Sequence, residues 1–192
     1  SAYSWASSSP EWFEKGFQEA PDSSVSDVVY VTQNAHFENV DRERFYDTLP
    51  LHRVETDNKT GLLSPREVTD AALSFYADKD ADRFVVHYMP PHAPFQYANR
   101  EYEIGNVPWA GSSQGAWWGL QTGDFDREQV WQDYGENLLG VLDEVQRIVK
   151  HVTGDVIITS DHGNAMGELG LYAHPAYVPA PAVKSVPWVE LE

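Results

Sequence analysis

The sequence predicts an α/β fold, a three-layer sandwich in which helices cover a mainly parallel central sheet. Runs of β-branched and aromatic residues at 28–32, 83–89 and 156–159 predict strands, the last one buried on both faces. In residues 126–152 an apolar residue recurs every three or four positions, which predicts a helix long enough to cross a sheet. Its apolar stripe comprises Tyr134, Leu138, Val141, Val145, Ile148 and Val152. We therefore expect a single α/β domain over residues 1–192.

The first part of the chain carries clear start and stop signals. Ser9 followed by Pro10 predicts a helix that runs to about residue 19, since proline is favoured in the first helical turn. Residues 41–48 predict a short helix, residues 51–56 an edge strand and residues 57–61 a turn.

The later connections are less regular. Ser64 and Glu67 form a capping box, which predicts a helix from the next residue to about position 78. Residues 96–123 have no clear period but contain three tryptophans, which favours a functional lid or an ordered excursion packed on the core. Residues 183–191 predict a last strand, in which a proline indicates a sheet edge or a bulge.

Composition excludes several classes of function. The 30 acidic and 13 basic residues give a net charge of −17, which argues against a nucleic-acid partner. Such acidity with few lysines suits a globular protein of a high-salt cell, and the aromatic content of 13% argues against disorder. The absence of cysteine excludes disulfides, thiolate metal sites and a cysteine nucleophile. No membrane span or signal peptide is recognised, so we expect a cytoplasmic rather than a secreted location.

The clearest chemical signal follows the strand at 156–159. Asp161 and His162 lie just past its carboxyl end, where open α/β sheets bind their ligands, and Gly163 allows a sharp turn. A carboxylate next to an imidazole is half of a divalent-metal site. The alternative is a turn in which the aspartate caps a helix and the histidine is merely exposed.

Three further places carry suitable side chains: the serine run 7–9, His87 with His92, and His174. A site for a phosphate or sulfate ester needs a metal that polarises the ester oxygens, a nucleophile and hydrogen-bond donors. These side chains can supply the metal ligands, the nucleophile and the hydrogen-bond donors. Taken singly, each histidine is more often structural, and a serine run before a helix is most often a cap.

The amino-acid sequence around these positions resembles that of a known family. The segments 159–163 (TSDHG), 167–175 (GELGLYAHP) and 186–189 (VPWV) are similar to the sulfatase-like branch of the alkaline phosphatase superfamily, and in particular to sulfatase-like proteins of salt-loving archaea. Residues 87–95 (HYMPPHAPF) resemble the His-x-Pro-Phe loop of that family, and Ser8-Ser9-Pro10 resembles its nucleophile pattern.

The resemblance implies a hydrolase or transferase with an α/β architecture. Its substrate would be a sulfate or phosphate ester of a small molecule or a glycan. Asp161 and His162 would bind a divalent metal ion such as Mn²⁺, Zn²⁺ or Ca²⁺. Ser8 would be the nucleophile, at a helix N-terminus that helps to hold the anion. His92 and His174 would bind the ester oxygens or protonate the leaving group.

The sequence also departs from the family pattern. The first acidic metal ligand of the family lies on a strand before the nucleophile, so we expect this domain to be incomplete at its N-terminus. Leu169 stands where many relatives have histidine, and Ala173 where glycine is usual. Glu11 and Trp12 follow Pro10, which does not match the formylglycine pattern, so direct use of a serine hydroxyl fits better. The alternative is an inactive binding or assembly protein, and an open sheet edge would also allow a homo-oligomer.

Overall fold

The computed structural model describes residues 1–56, 60–98, 100, 102 and 115–191. In chain order the strands are β1 (Ala2–Tyr3), β2 (Val28–Thr32), β3 (Asp47–Pro50), β4 (Arg83–His87), β5 (Val156–Thr159), β6 (Ala165–Met166), β7 (Tyr172–Ala173), β8 (Ser185–Val186) and β9 (Trp188–Leu191). The α-helices are α1 (Ser9–Phe13), α2 (Pro65–Ala77), α3 (Gly115–Thr122), α4 (Arg127–Val149) and α5 (Pro181–Lys184).

A three-stranded parallel sheet in the order β3-β2-β4 forms the centre of the molecule. Because side chains alternate along a strand, the central strand β2 supplies both of its faces. Tyr30 lies in an aromatic cluster with Phe13 and Phe37, beside α1. Val31 lies in an aliphatic cluster with Val68 of α2, against which Ile148 of α4 also packs. The α/β class with a parallel sheet is thus confirmed, whereas the three-layer arrangement stays a prediction.

The remaining strands form separate antiparallel pairs, β5 with β9, β1 with β8 and β6 with β7. In the described residues β4 pairs along one edge only, and so does β5. The expectation that residues 156–159 are buried on both faces is wrong. Exposure alternates along β5, and Ile157 is 51% exposed. One face of this strand is therefore left uncovered.

Several sequence-predicted elements are confirmed. The capping box at the start of α2 forms, with Ser64 accepting from the amide of Glu67 and the Glu67 carboxylate accepting from that of Ser64. The helix that starts at Ser9 extends as predicted, but it continues beyond Phe13 as a π-helix over Glu14–Gln18.

Other predicted elements are wrong. Residues 41–48 do not form a helix, because Asp41 caps a short 3-10 turn at Arg42–Arg44 and β3 then begins at Asp47. Residues 51–56 do not form the edge strand; Leu51–Arg53 is a 3-10 turn, and β3 is the edge strand. The turn predicted at 57–61 lies partly outside the described residues. The segment 96–123 contains α3, and positions 103–114 lie outside the description.

The predicted apolar stripe of the long helix α4 is confirmed in part. Val141 is buried and Tyr134 and Ile148 pack against hydrophobic clusters, whereas Leu138 is 38% exposed. The buried face also contains two polar side chains outside the predicted stripe, Asp133 and Asn137, and both are hydrogen-bonded. In the described part of the chain no helix is long and apolar enough to cross a membrane.

Candidate active site

The N-terminal end of α1 brings three consecutive serines to the carboxyl end of β5. Ser9 Oγ donates to Asp161 Oδ2 over 2.7 Å and lies 3.3 Å from His162 Nε2. Ser8, the nucleophile candidate from the sequence, is the N-cap residue, and its hydroxyl accepts from the amide of Glu11 at 3.5 Å. The geometry therefore sets the hydroxyl of Ser9, rather than that of Ser8, against the Asp-His pair. The sequence pattern placed the nucleophile at Ser8, because a pattern does not show that the first helical residue turns its side chain differently from the cap.

Ser7 and Glu11 join this end of α1 to the loop that follows His174. Ser7 Oγ lies 2.8 Å from a Glu11 carboxylate oxygen and 2.8 Å from Pro175 O. The same Glu11 oxygen accepts from the amides of Ser7, at 2.8 Å, and Tyr177, at 3.0 Å. Glu11 is buried, and it positions the serine run rather than contacting the Asp-His pair.

Asp161 and His162 are held by a tight turn after β5. Asp161 Oδ1 accepts from the amide of His162 at 2.9 Å, which leaves Oδ2 facing the interior of the site. His162 Nδ1 donates to Gly163 O over 2.8 Å, so its Nε2 carries the lone pair. That Nε2 lies 3.5 Å from Asp161 Oδ2. Two acceptor atoms thus face each other across a short gap, which is the arrangement that a bound cation or a shared hydroxyl proton stabilises.

The Asp161 carboxyl is electrostatically tuned. Burial alone would raise its pKa, but His162, His87 and the Ser9 hydroxyl outweigh burial and hold the pKa below its ordinary value. Asp161 is therefore an anion at neutral pH, and an anion in a buried site needs a positive or proton-donating partner.

His87, at the end of β4, is the third imidazole close to Asp161. Its Nε2 lies 3.6 Å from Asp161 Oδ2, and its Nδ1 lies 2.9 Å from the hydroxyl of Tyr30. Burial lowers the pKa of His87. The sequence offered His87 only together with His92, without a role of its own, and the structure places it at the end of β4 that faces the site.

His92 and His174 form a second pair beside the first. Their Nε2 atoms are 2.7 Å apart, and the ring of His174 lies 4.4 Å, centroid to centroid, from that of His162. Burial lowers the pKa of His92 to about 4 and that of His174 to about 3. Both rings are therefore neutral at neutral pH, with one N–H available between the two facing nitrogens.

Two loops deliver this pair. His92 follows β4, with Nδ1 donating to Ala93 O, and Trp117 of α3 packs edge-on against its ring. His174 follows the β6–β7 hairpin, whose last residue, Ala173, has a φ of 59°. That left-handed backbone is the physical reason for a glycine preference at this position.

The donor set fits half of a divalent-metal site. Asp161 and His162 offer an ionised carboxylate oxygen and an imidazole lone pair, both common ligands of such ions. Within the described residues, no group of three or more His, Asp or Glu side chains is arranged to hold a metal ion. A complete site would therefore need at least one further ligand.

No protein-family model matches the chain, and no curated protein matches it. Solved structures of other proteins do match this chain. The soluble domain of lipooligosaccharide phosphoethanolamine transferase A from Neisseria meningitidis matches with a TM-score of 0.58 and 16% identity, over 86% of this chain and 50% of that one. The C-terminal periplasmic domain of phosphoethanolamine transferase EptC from Campylobacter jejuni has a TM-score of 0.55 and 18% identity, over 86% and 52%.

The integral membrane protein lipooligosaccharide phosphoethanolamine transferase A from Neisseria meningitidis also matches, with a TM-score of 0.53 and 18% identity, over 86% of this chain and 31% of that one. The chain thus spans about half the length of the two soluble domains. At these identities the likeness concerns the fold. The chain shares its fold with the soluble domains of phosphoethanolamine transferases.

Proposed function

We propose that this chain carries the catalytic residues of a metal-dependent enzyme that transfers or hydrolyses a phosphate ester. The observation that carries the proposal is the Ser9 hydroxyl, hydrogen-bonded to ionised Asp161 and next to the lone pair of His162. A neutral histidine pair lies beside it. Shared fold with phosphoethanolamine transferases adds support from a second direction.

In this proposal Ser9 Oγ attacks the phosphorus atom, the bond from phosphorus to the ester oxygen of the leaving alcohol breaks, and the proton that Ser9 loses passes through Asp161 to that oxygen. Asp161 Oδ2, which already accepts the Ser9 hydroxyl, holds its proton and orients the oxygen. His174 donates its Nε2–H to an ester oxygen as a neutral group, because the low pKa values of the pair disfavour a cationic proton donor, and His92, whose Nε2 faces that nitrogen atom, orients the ring. Water or an acceptor alcohol then releases the phosphoryl group from Ser9.

A divalent ion bound by Asp161 and His162 would neutralise charge on the transferring group and favour the serine alkoxide. The edges of β4 and β5 that lack a partner in the described residues converge at this site, where His87 lies 3.6 Å from Asp161. We propose that a further strand between these edges supplies the remaining acidic ligand.

Phosphate is the preferred ester in this proposal, because a serine hydroxyl is used directly and the structural neighbours are named as phosphoethanolamine transferases. Sulfate esters, on small molecules or glycans, remain the second substrate class. The metal ion is proposed to be Mn²⁺, Zn²⁺ or Ca²⁺, since carboxylate and imidazole ligands suit several divalent ions.

The second candidate function is an inactive binding or assembly protein with the same fold. The observation that favours it is the incomplete ligand set, because the part of the chain that the structure describes brings together two ligands where a metal site needs three or more. Such a protein would neither bind a divalent ion tightly nor turn over an ester.

The test combines metal binding with turnover. Purified protein in concentrated KCl, titrated by calorimetry with Mn²⁺ or Zn²⁺, should bind one ion and cleave an aryl phosphate faster than an aryl sulfate. Asp161→Ala/His162→Ala should lose both properties. The matched control is His151→Ala/Asp155→Ala, an exposed pair of the same residue types before the opposite end of β5, which should behave as wild type.

Metal binding that persists in Asp161→Ala/His162→Ala would show that the ligands lie elsewhere. Wild-type protein that binds no ion and cleaves neither ester would favour the binding or assembly function.

A further inference from the structure

Asn137, in the middle of α4, is an amide in the position of a core residue. Its side chain is fully buried, with 0% exposure, on the face that also presents Val130 and Val141 to the interior. An apolar residue would satisfy the helical pattern at this position equally well. A buried amide is tolerated only when its donors and acceptor find partners, so its hydrogen bonds indicate its role.

All of the described hydrogen bonds of this amide go to one loop. Asn137 Oδ1 accepts from the amide of Gln96 at 2.9 Å and from that of Tyr97 at 3.4 Å. Asn137 Nδ2 donates to the carbonyl oxygen of His92 over 3.3 Å. A single side chain thus joins both ends of the segment 92–97.

A second contact between α4 and this loop lies one turn further along the helix. A side chain at Gly140 would come within 2.4 Å of the ring of Tyr97. The helix therefore approaches the loop closely enough for a short amide to span the gap, and a longer or shorter side chain would fit less well.

We propose that Asn137 is a positioning residue that fixes the imidazole of His92 opposite His174. The backbone of His92 is tied to α4 through its carbonyl oxygen, and its ring is tied to the next residue by Nδ1 donating to Ala93 O. These two bonds leave Nε2 as the unprotonated atom that faces His174 at 2.7 Å. The ring edge of Trp117 limits its remaining freedom. The consequence for turnover rests on the proposed function; the consequence for the ring itself does not.

The experiment measures the tautomers of the histidine rings directly by NMR. In the protein labelled with ¹⁵N-histidine, long-range ¹H–¹⁵N spectra should show His92 as the Nδ1–H tautomer. Asn137→Leu preserves size but removes all three hydrogen bonds, and it should move the ¹⁵N signals of His92 and His174 towards those of a mixture of tautomers. The signals of His151, exposed at the far end of α4, should stay in place.

Two further variants separate positioning from loss of stability. Val141→Ala removes buried apolar volume one turn away on the same face and should leave the His92 and His174 signals unchanged, even when it lowers the unfolding midpoint as much. Asn137→Ala, which leaves room for a water molecule, should fold if the leucine variant does not, and should shift the same signals.

Turnover provides the second readout. With an aryl phosphate, kcat of the Asn137 variants should fall on the order of 10- to 100-fold with little change in KM, because the histidines are displaced rather than removed. Unchanged His92 and His174 signals in every folded Asn137 variant would overturn the proposal. A wild-type protein without turnover would contradict the proposed function but leave the spectroscopic result valid.

Discussion

Glu11 shows how a single buried charge can organise the loops of this site. It accepts from two backbone amides and from Ser7 Oγ, and Lys15 pairs with its other oxygen. Burial alone would raise the pKa of Glu11, but Lys15 and the amides of Ser7 and Tyr177 outweigh it and lower the pKa to about 2. The ionised form is therefore the one that the fold requires.

This pKa predicts a pH-dependent contribution to stability. The pKa of Glu11 is 4.5 in the unfolded chain and about 2 in the folded one. The stabilisation by ionised Glu11 is therefore fully present above pH 4.5 and is lost as the pH falls towards 2. Glu11→Gln should lower the free energy of unfolding by about 3 kcal/mol near pH 7. Urea titrations at several pH values measure it, and wild type and variant should converge in acid.

Glu38→Gln is the matched control. The hydrogen bonds of Arg53 and His52 also lower the pKa of Glu38 to about 2, but its side chain is 42% exposed. Because water screens exposed ion pairs, this variant should change stability far less than Glu11→Gln. A constant difference between wild type and Glu11→Gln across the acid range would show that Glu11 acts through packing alone.

Sequence patterns predicted the residue types of the site better than their contacts. Asp161, His162, His92 and His174 do lie together, although the strands they follow belong to three different sheets. The patterns did not single out Ser9 or Asn137. Which serine contacts Asp161, and which polar residue of α4 contacts the His92 loop, depends on the direction in which each helical side chain points. A serine run, or one polar residue in an amphipathic helix, does not reveal that direction.

Among the elements, those with local signals were predictable and those that depend on distant partners were not. The cap of α2 and the β-branched run of β2 are such local signals. The short pairs β6–β7 and β1–β8 contain two residues per strand, too few for a period to emerge. The chain around β3 was assigned wrongly because this strand of four residues comes directly between two 3-10 turns, so neither a helical nor a strand period extends far enough to be recognised.

The turn that carries Asp161 and His162 is docked on α5, which gives a prediction for an element contact. Gly163 donates its amide to Val183 O over 2.9 Å, and a Cβ at this position would lie 2.4 Å from Ala182 O. Gly163→Ala should therefore force the turn away from α5 and cost about 1 to 3 kcal/mol of stability. Thermal unfolding and metal titration of this variant measure both effects.

Gly135→Ala is its control, because a Cβ there has nothing within 4 Å and the residue lies within α4. It should stabilise the protein by up to about 1 kcal/mol, since alanine is the better helix former. Wild-type stability and metal affinity in Gly163→Ala would mean that the turn adapts without moving the site.

At the scale of the whole molecule, the net charge of −17 is the dominant feature. Repulsion among so many carboxylates opposes the compact state, and dissolved salt screens it. We predict that the urea midpoint of unfolding rises steadily from about 0.1 M to about 2 M KCl. An equal osmolality of glycine betaine, which is not a salt, is the control for general solvent effects. Equal midpoints in low and high KCl would argue against adaptation to high salt.

The central claim concerns one oxygen atom, Ser9 Oγ, and it can be tested by locating the transferred group. Mn²⁺- or Zn²⁺-loaded protein, mixed briefly with an aryl phosphate and quenched in acid, is digested and its peptides are mapped by mass spectrometry. We expect a phosphoryl group on Ser9, which is absent from Ser9→Ala and from Asp161→Ala/His162→Ala but present in Ser8→Ala. Phosphorylation of Ser8 instead of Ser9, or labelling that survives in Ser9→Ala, would contradict it.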